Sequence, residues 1–314
     1  MHRILVTGGA GFIGTHLINK ISQDFDVFVI DSLTNERSRS NAESFSGEHI
    51  TLFQEDIKNK EKINEIFRDC KPDSCVHLAA LISVTESMVN PLKAFDVNVT
   101  GTLNILDACV ANSIEHFVFA SSSAVYGHAN CVPIHEKVEL RPISPYGASK
   151  IAAEVIVNAY GDLKVFDSTI TLRFFNVYGR GQNIDYAGVI TKFRDRLGKN
   201  LAPVIFGDGN QQRDFIAVDD VVSSVIISLD PPTGIDKGTF NIGTGVPTKI
   251  SDLARIMSIL MEKTDLAPIY KPRVDGDILV SYADITKATN TLKFCAREEL
   301  SSGLEAFLND SHVP

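Results

Sequence analysis

Tyr146 and Lys150 stand four residues apart behind Ser144-Pro145. On a helix that spacing places both side chains on one face. A phenol with its ordinary pKa of about 10 is a poor base near neutrality. A nearby ammonium favours the phenolate and brings proton transfer within reach. Upstream, Ser121-Ser122-Ser123 precede Ala124-Val125-Tyr126-Gly127 and supply three hydroxyls. A phenol, an amine and a hydroxyl together suit proton removal from an alcohol and its return to a ketone. Either motif alone also reads as an ordinary exposed pair or a polar turn, so the remaining sequence has to decide.

The deciding stretch is Gly8-Gly9-Ala10-Gly11-Phe12-Ile13-Gly14. It fits G-x-G-x-x-G from Gly9 and G-x-x-G-x-x-G from Gly8. Glycines at this spacing permit a tight turn, and backbone N–H groups at a helix start can then hold a pyrophosphate. Gly8, Gly11, Phe12, Ile13 and Gly14 are therefore expected to bind a dinucleotide. Asp31 lies 20 residues beyond Gly11, at the end of the second apolar run. An acid there accepts the adenosine ribose hydroxyls and repels a 2′-phosphate, favouring NAD over NADP. Arg37 and Arg39 follow it and leave NADP open. Asp56-Ile57 is expected beside the adenine, and Ala79-Ala80 where small side chains allow close backbone approach. With a nicotinamide cofactor in place, its cationic ring also favours the Tyr146 phenolate, and Lys150 can bond the nicotinamide ribose.

These groups need a scaffold. Strand-like runs at Ile4–Thr7, Val27–Ile30, Ile50–Phe53, Ser74–Leu78, Phe117–Ser121 and Thr169–Phe174 alternate with helix-like segments. The helices are read at Gly14–Ser22, Glu61–Arg68, Pro91–Ala111 and Tyr146–Tyr160. Such alternation implies right-handed crossovers and an α/β fold with a doubly wound parallel sheet of Rossmann type. The serines end the fifth run, where open α/β sheets place their ligands. Beyond residue 175 the pattern loosens into turns and helices at Val189–Leu197, Val218–Leu229, Ile250–Met261 and Ala283–Leu292. The expected division is a dinucleotide-binding domain over 1–175, with returns near 214–242, and a smaller α/β substrate lobe over 176–314.

With these segments in order, the chain resembles the extended short-chain dehydrogenases/reductases of the nucleotide-sugar epimerase/dehydratase group. The matching stretches include Thr7–Gly14, His77–Ala80, Asn98–Gly101, Ser121–Gly127, Pro145–Lys150, Arg173–Gly179, Gly207–Asp220, Phe240–Gly245 and Arg273–Asp284. The resemblance implies that Ser122, Tyr146 and Lys150 are catalytic, and it adds Asn98 to the NAD contacts. It assigns Ser123, Asn176, Val189, Val204, Phe206, Arg213, Arg273, Asp277 and Ser281 to the sugar nucleotide. Arg213 and Arg273 grip phosphate, as the donor fork of guanidinium suits. Val204-Ile205-Phe206 receives the base.

Related 4,6-dehydratases carry Thr-Asp-Glu where this chain has Ser122-Ser123-Ala124, so the acids that shed water are missing. A 4-epimerase needs the fewest parts: oxidation at C4, rotation of the 4-keto sugar, and reduction from the other face. The expected substrates are UDP-glucose and UDP-galactose. Ser281 stands where glucose/galactose-restricted relatives often have Tyr, which would admit N-acetyl forms. Ile82 replaces a lysine found in some of them. A UDP-glucuronate decarboxylase or epimerase, a sugar 4-reductase and a non-catalytic NAD sensor are the alternatives. The last commonly loses the Tyr or Lys retained here.

The net charge of −9 argues against a general nucleic-acid binder. Five scattered cysteines without C-x-x-C spacing suggest neither a disulfide frame nor a metal site. A start of Met1-His2-Arg3 running straight into a strand, and no long apolar run, lead us to expect a cytoplasmic protein without membrane contact. The group commonly pairs through two helices, matched by Pro91–Ala111 and Tyr146–Tyr160. A homodimer through a four-helix bundle is expected, with Ala152, Ala153, Val155, Ile156 and Ala159 on the shared face.

Overall fold

The structure, a computed structural model, describes residues 2–45, 47–182, 188–274 and 276–308. Six strands alternate with helices through the first half: β1 (Arg3–Thr7), β2 (Asp26–Asp31), β3 (Ile50–Gln54), β4 (Ser74–His77), β5 (His116–Ser122) and β6 (Ser168–Phe174). A seventh, Lys237–Ile242, joins them from far along the chain. All are parallel, in the order Lys237–Ile242, β6, β5, β4, β1, β2, β3. The order reverses between β1 and β4. Successive crossovers leave on opposite faces there, opening a crevice at the carboxyl ends of the strands.

Both faces are covered, which explains why the strands are apolar throughout. Ile4 and Val6 of β1 pack with Leu17, Ile18, Val27, Val29 and helix Val218–Leu229 on one face. Leu5, between them, packs with Cys75, Phe117, Phe119 and the helices Lys60–Cys70 and Gly101–Ala111 on the other. Helix Phe12–Ile21 turns Gly14, Leu17, Ile18 and Ile21 inward. Its Gly11 N-cap offers no side chain to the first turn, so that turn faces the crevice uncapped.

The single helix expected over Pro91–Ala111 is corrected. It runs as α-helix over Pro91–Phe95, a π turn over Asp96–Thr100, and α-helix again over Gly101–Ala111. The extra residue of a π turn rotates the following side chains. It brings Asn98 inward, 1% exposed. The seventh strand escapes a period-based reading because Lys-Gly-Thr-Phe-Asn-Ile neither alternates nor runs apolar.

A second set of elements packs beside the crevice. Strand Gln212–Ala217 pairs with Pro247–Lys249, Val280–Ser281 and Asn176–Tyr178. Val204–Phe206 pairs with Ile269–Lys271. Their core contains Phe193, Ile205, Phe215, Leu253, Met257 and Leu304. No helix among the described residues is long and apolar enough to cross a membrane. No metal-binding cluster occurs among them either.

Candidate active site

Tyr146 and Lys150 lie on helix Pro145–Asp162. Ser144 caps it, its Oγ accepting from the Gly147 N–H at 3.1 Å, and Pro145 occupies the first turn, where its missing N–H costs nothing. Gly147 sets the approach. A Cβ there would lie 2.6 Å from the Ala124 carbonyl oxygen, so only glycine lets the helix close on the turn after β5. That contact carries Tyr146 to Ser122 at the end of β5. The Ser123–Val125 turn begins at Ser122, whose Oγ accepts from the Ala124 N–H at 3.2 Å.

Tyr146 and Lys150 share the inner face of this helix, 8% and 4% exposed. Burial pushes the Tyr146 phenol above its ordinary pKa, and the Ser122 hydroxyl facing it pulls it back. Lys150 is the electrostatic partner expected for the phenol. Here the Lys150 ammonium donates instead to the Ala120 carbonyl at 2.8 Å and sits 4.9 Å above the Phe119 ring. Burial lowers its pKa to about 8, against the pull of Glu154. The phenol thus has the Ser122 hydroxyl at hand, while the ammonium one turn away is held by β5.

A crevice of ≈ 600 Å³ joins these groups to the glycine turn. Gly8, Gly11, Phe12, Ile13, Gly14, Asp31, Asp56, Ile57, Ala79 and Ala80 line it, together with Ser122, Tyr146 and Lys150. The turn is a cradle that side chains would fill. At Gly8, with φ +69°, a Cβ would stand 2.6 Å from the Ala79 nitrogen, and at Gly14 it would stand 2.5 Å from the Gly8 carbonyl. Asp31 accepts from Ala10 N–H at 3.0 Å and Leu33 N–H at 2.9 Å, so it shapes the turn as well as facing the crevice. These features fit an adenine dinucleotide: a backbone-lined pyrophosphate seat with a carboxylate at the ribose end.

Asn98, expected among the NAD contacts, is buried, and its amide is engaged within the protein. Its Oδ1 accepts from Leu81 N–H at 2.7 Å, and its Nδ2 donates to Leu81 O at 3.1 Å and Ser149 Oγ at 2.9 Å. The amide ties the Leu81 backbone to Ser149 on the helix that carries Tyr146 and Lys150.

A second cavity of ≈ 740 Å³ meets the first at Val177 and Gln182. Asn176, Val189, Val204, Phe206, Arg213 and Asp277 line it. Asn176 donates to Asp214 O at 3.0 Å, and Arg213 pairs with Asp277 at 2.7 Å. Arg273 sits exposed at the rim, donating to Asp277 O at 2.5 Å. Ser123 and Ser281 line neither cavity. Ser281 is 8% exposed in a strand registered on Arg213. Ser123 is drawn into the turn after β5. Ile82, Ser83, Glu86, Asn35 and Arg37 line the first cavity, and Val84, Met88 and Ile143 the second. Sequence reasoning assigned none of these a contact with NAD or sugar nucleotide, apart from weighing Arg37 for a 2′-phosphate, because they sit on short, irregular or polar stretches without a period.

The family model described as "NAD dependent epimerase/dehydratase family" matches residues 4–243. A "Putative UDP-glucose 4-epimerase" of Methanocaldococcus jannaschii is 39% identical over 98% of this chain and 97% of its own length. The structure of UDP-glucose 4-epimerase from Thermotoga maritima with UDP-glucose superposes with TM-score 0.90 at 32% identity, covering 98% of this chain and 97% of that one. The UDP-N-acetylglucosamine 4-epimerase from Methanobrevibacter ruminantium M1, in complex with UDP-N-acetylmuramic acid, superposes with TM-score 0.91 at 33% identity and the same coverage. With its reversed parallel sheet, glycine cradle and buried Tyr146-Lys150 face, the chain belongs to the NAD dependent epimerase/dehydratase family.

Proposed function

We propose that the protein is an NAD-dependent 4-epimerase of UDP-sugars, acting on UDP-glucose and UDP-galactose and admitting N-acetyl forms. The observation that carries this is that Ser122, Tyr146 and Lys150 together line the glycine-turn crevice, which shares Val177 and Gln182 with the second cavity. NAD, when bound, supplies the reversible oxidation at C4. Tyr146 takes the C4 hydroxyl proton, with Ser122 between them, and returns it when the ketone is reduced. Lys150, one turn along the same helix, supplies positive charge to the site. Arg213 and Asn176 hold the nucleotide diphosphate while the ketone turns, so binding strength resides away from the reacting ring. The seat of Arg213 beside Asp277 supports this, since the guanidinium is already oriented at the cavity wall. Val84, Met88 and Ile143 give the second cavity an apolar side with room for an acetamido group. That room replaces Ser281 as support for N-acetyl tolerance.

Incubation with UDP-glucose, UDP-N-acetylglucosamine and UDP-glucuronate separately, without added cofactor, is the test. Galacto-configured products from the first two are expected, with no net reductant consumed. Pentose or deoxy-keto products, or a requirement for stoichiometric NADH, would overturn the reading.

We also infer a cytoplasmic homodimer. All five cysteines are free thiols, which suits a reducing compartment. Met88, Val89, Leu92 and Val155 are 61%, 83%, 81% and 63% exposed on neighbouring helices, an apolar face in need of cover. Ala153, expected on that face, is fully buried in the core. Sedimentation equilibrium should give about twice the chain mass, and Val155→Glu should halve it; a monomeric wild type would refute the dimer.

A further inference from the structure

Behind the reacting side chains lies a buried ion pair that proton transfer does not itself use. Arg173 on β6 grips Glu154 through two bonds, Nε to Oε1 at 2.9 Å and Nη2 to Oε2 at 2.6 Å. Their side chains are 6% and 2% exposed. The same Glu154 Oε1 accepts the hydroxyl of Ser121. Arg173 Nη1 donates to Tyr126 Oη at 2.9 Å and to the Glu136 carbonyl at 3.2 Å, and Tyr126 donates to Asn241 Oδ1 at 2.6 Å. One cluster therefore ties β5, β6, the catalytic helix and strand Lys237–Ile242 together. Ser121 immediately precedes Ser122, and Glu154 follows Lys150 by one helical turn. An apolar pair of similar volume often serves stability as well as a buried ion pair does. Stability alone therefore does not account for these charges, whereas their position next to two reacting groups does.

We propose that Glu154, clamped by Arg173, is a positioning residue: its carboxylate anchors Ser121 so that Ser122 faces the Tyr146 phenol, and it sets a negative charge one turn from Lys150. The inference rests on the reading of Ser122, Tyr146 and Lys150 as the reacting groups.

The surroundings of Lys150 sharpen the expectation. Facing or flanking it are Tyr146 and Glu154 from its own helix, and His77 from β4. Phe119 and the Ala120 carbonyl face it from β5, and Arg173 stands behind Glu154 from β6. His77 is fully buried and neutral, its pKa lowered by burial and by Lys150 to about 3. Glu154 is the negative group in this set, and it opposes the burial that draws Lys150 toward neutrality. Glu154→Gln leaves Arg173 unopposed, which pushes Lys150 further toward the neutral amine.

Three variants test this: Glu154→Gln, Ser121→Ala, and Glu154→Met combined with Arg173→Met. The readouts are kcat and KM against pH, bound NAD content, and the ¹³Cε shift of Lys150 against pH, assigned with Lys150→Met. For Glu154→Gln we expect kcat down about a hundredfold, the loss that misplacement by roughly 1 Å brings. KM and NAD content should hold. The Lys150 midpoint and the alkaline limb of kcat should both move down by about one pH unit. Ser121→Ala should lower kcat with the Lys150 midpoint unmoved. The double Met variant should restore the midpoint while kcat stays low, because the anchor is gone.

If Glu154→Gln does not fold, the other two variants decide. Wild-type kcat in both Ser121→Ala and the double variant overturns the proposal, as does a folded Glu154→Gln with unchanged kcat and midpoint. A wild-type protein that epimerises no UDP-sugar, or a Tyr146→Phe variant that turns over normally, would instead sink the underlying reading.

Discussion

Tyr146→Phe should lower kcat by about a thousandfold, within the range by which positioned acid–base groups accelerate reactions. The substitution deletes one oxygen from a side chain that is 8% exposed in a preformed wall. The ring still fills its place, so the fold and both cavities should persist. UDP-sugar affinity should remain within about twofold of wild type, since the proposed diphosphate contacts, Arg213 and Asn176, line the second cavity and not the first. Bound NAD should remain as well, because the glycine cradle and Asp31 are untouched. Ser122→Ala should fall short of this loss, since Tyr146 can then act through water. Isothermal titration with UDP-glucose and a discontinuous assay of sugar products check both halves. Turnover within about tenfold of wild type would remove Tyr146 from the role of base.

Gly8→Ala should produce an apo-protein or none. Gly8 has φ +69°, which costs an L-residue about 1–2 kcal/mol. The larger problem is contact. The added Cβ would stand 2.6 Å from the Ala79 nitrogen and 2.7 Å from its Cα, both backbone atoms of the crevice wall. Neither can retreat easily. The Ala79 N–H is held by Thr7 Oγ1 at 3.2 Å, and Thr7 Oγ1 bonds in turn to buried His77 at 2.6 Å. Relief requires opening the gap between β1 and β4, where the dinucleotide crevice begins. We expect NAD content after purification to fall at least about tenfold and the melting temperature to drop by several degrees. Gly47→Ala, at a turn where the added carbon meets only Ile50 Cδ1 at 3.8 Å, serves as control. Full NAD content in Gly8→Ala would show that the cradle is not the cofactor's seat.

Much of this was legible along the chain, for reasons that differ by region. The strands covered on both faces announce themselves as apolar runs, so β1 through β6 are read within a residue or two at each end. The glycine spacing is a local demand of one turn and needs no tertiary knowledge. Tyr146 and Lys150 follow from helical period alone. The placements that sequence could not give depend on partners distant in the chain. Asn98 lies close to cofactor-wall residues along the chain, but a π turn aims it at Leu81 and Ser149 instead. Ser281 has the small size a roomy sugar pocket would want, and tertiary packing of its strand beside Arg213 leaves it 8% exposed. Among Ser121, Ser122 and Ser123 the sequence offers three like hydroxyls, and only packing separates them. Ser121 turns back to Glu154, Ser122 faces the phenol, and Ser123 enters the turn.

By itself the sequence determined the parallel α/β scaffold, the glycine turn and the shared helix face of Tyr146 and Lys150, because each is written in short-range period or spacing. Tertiary structure alone decided which serine meets Tyr146, how the Lys150 ammonium is oriented, and which side chains wall the sugar cavity. It also brought Glu154 and Arg173, 19 residues apart, into one buried pair. Those outcomes turn on contacts between segments far apart in the chain. The free energy of such contacts depends on burial and geometry that no local pattern of residues encodes.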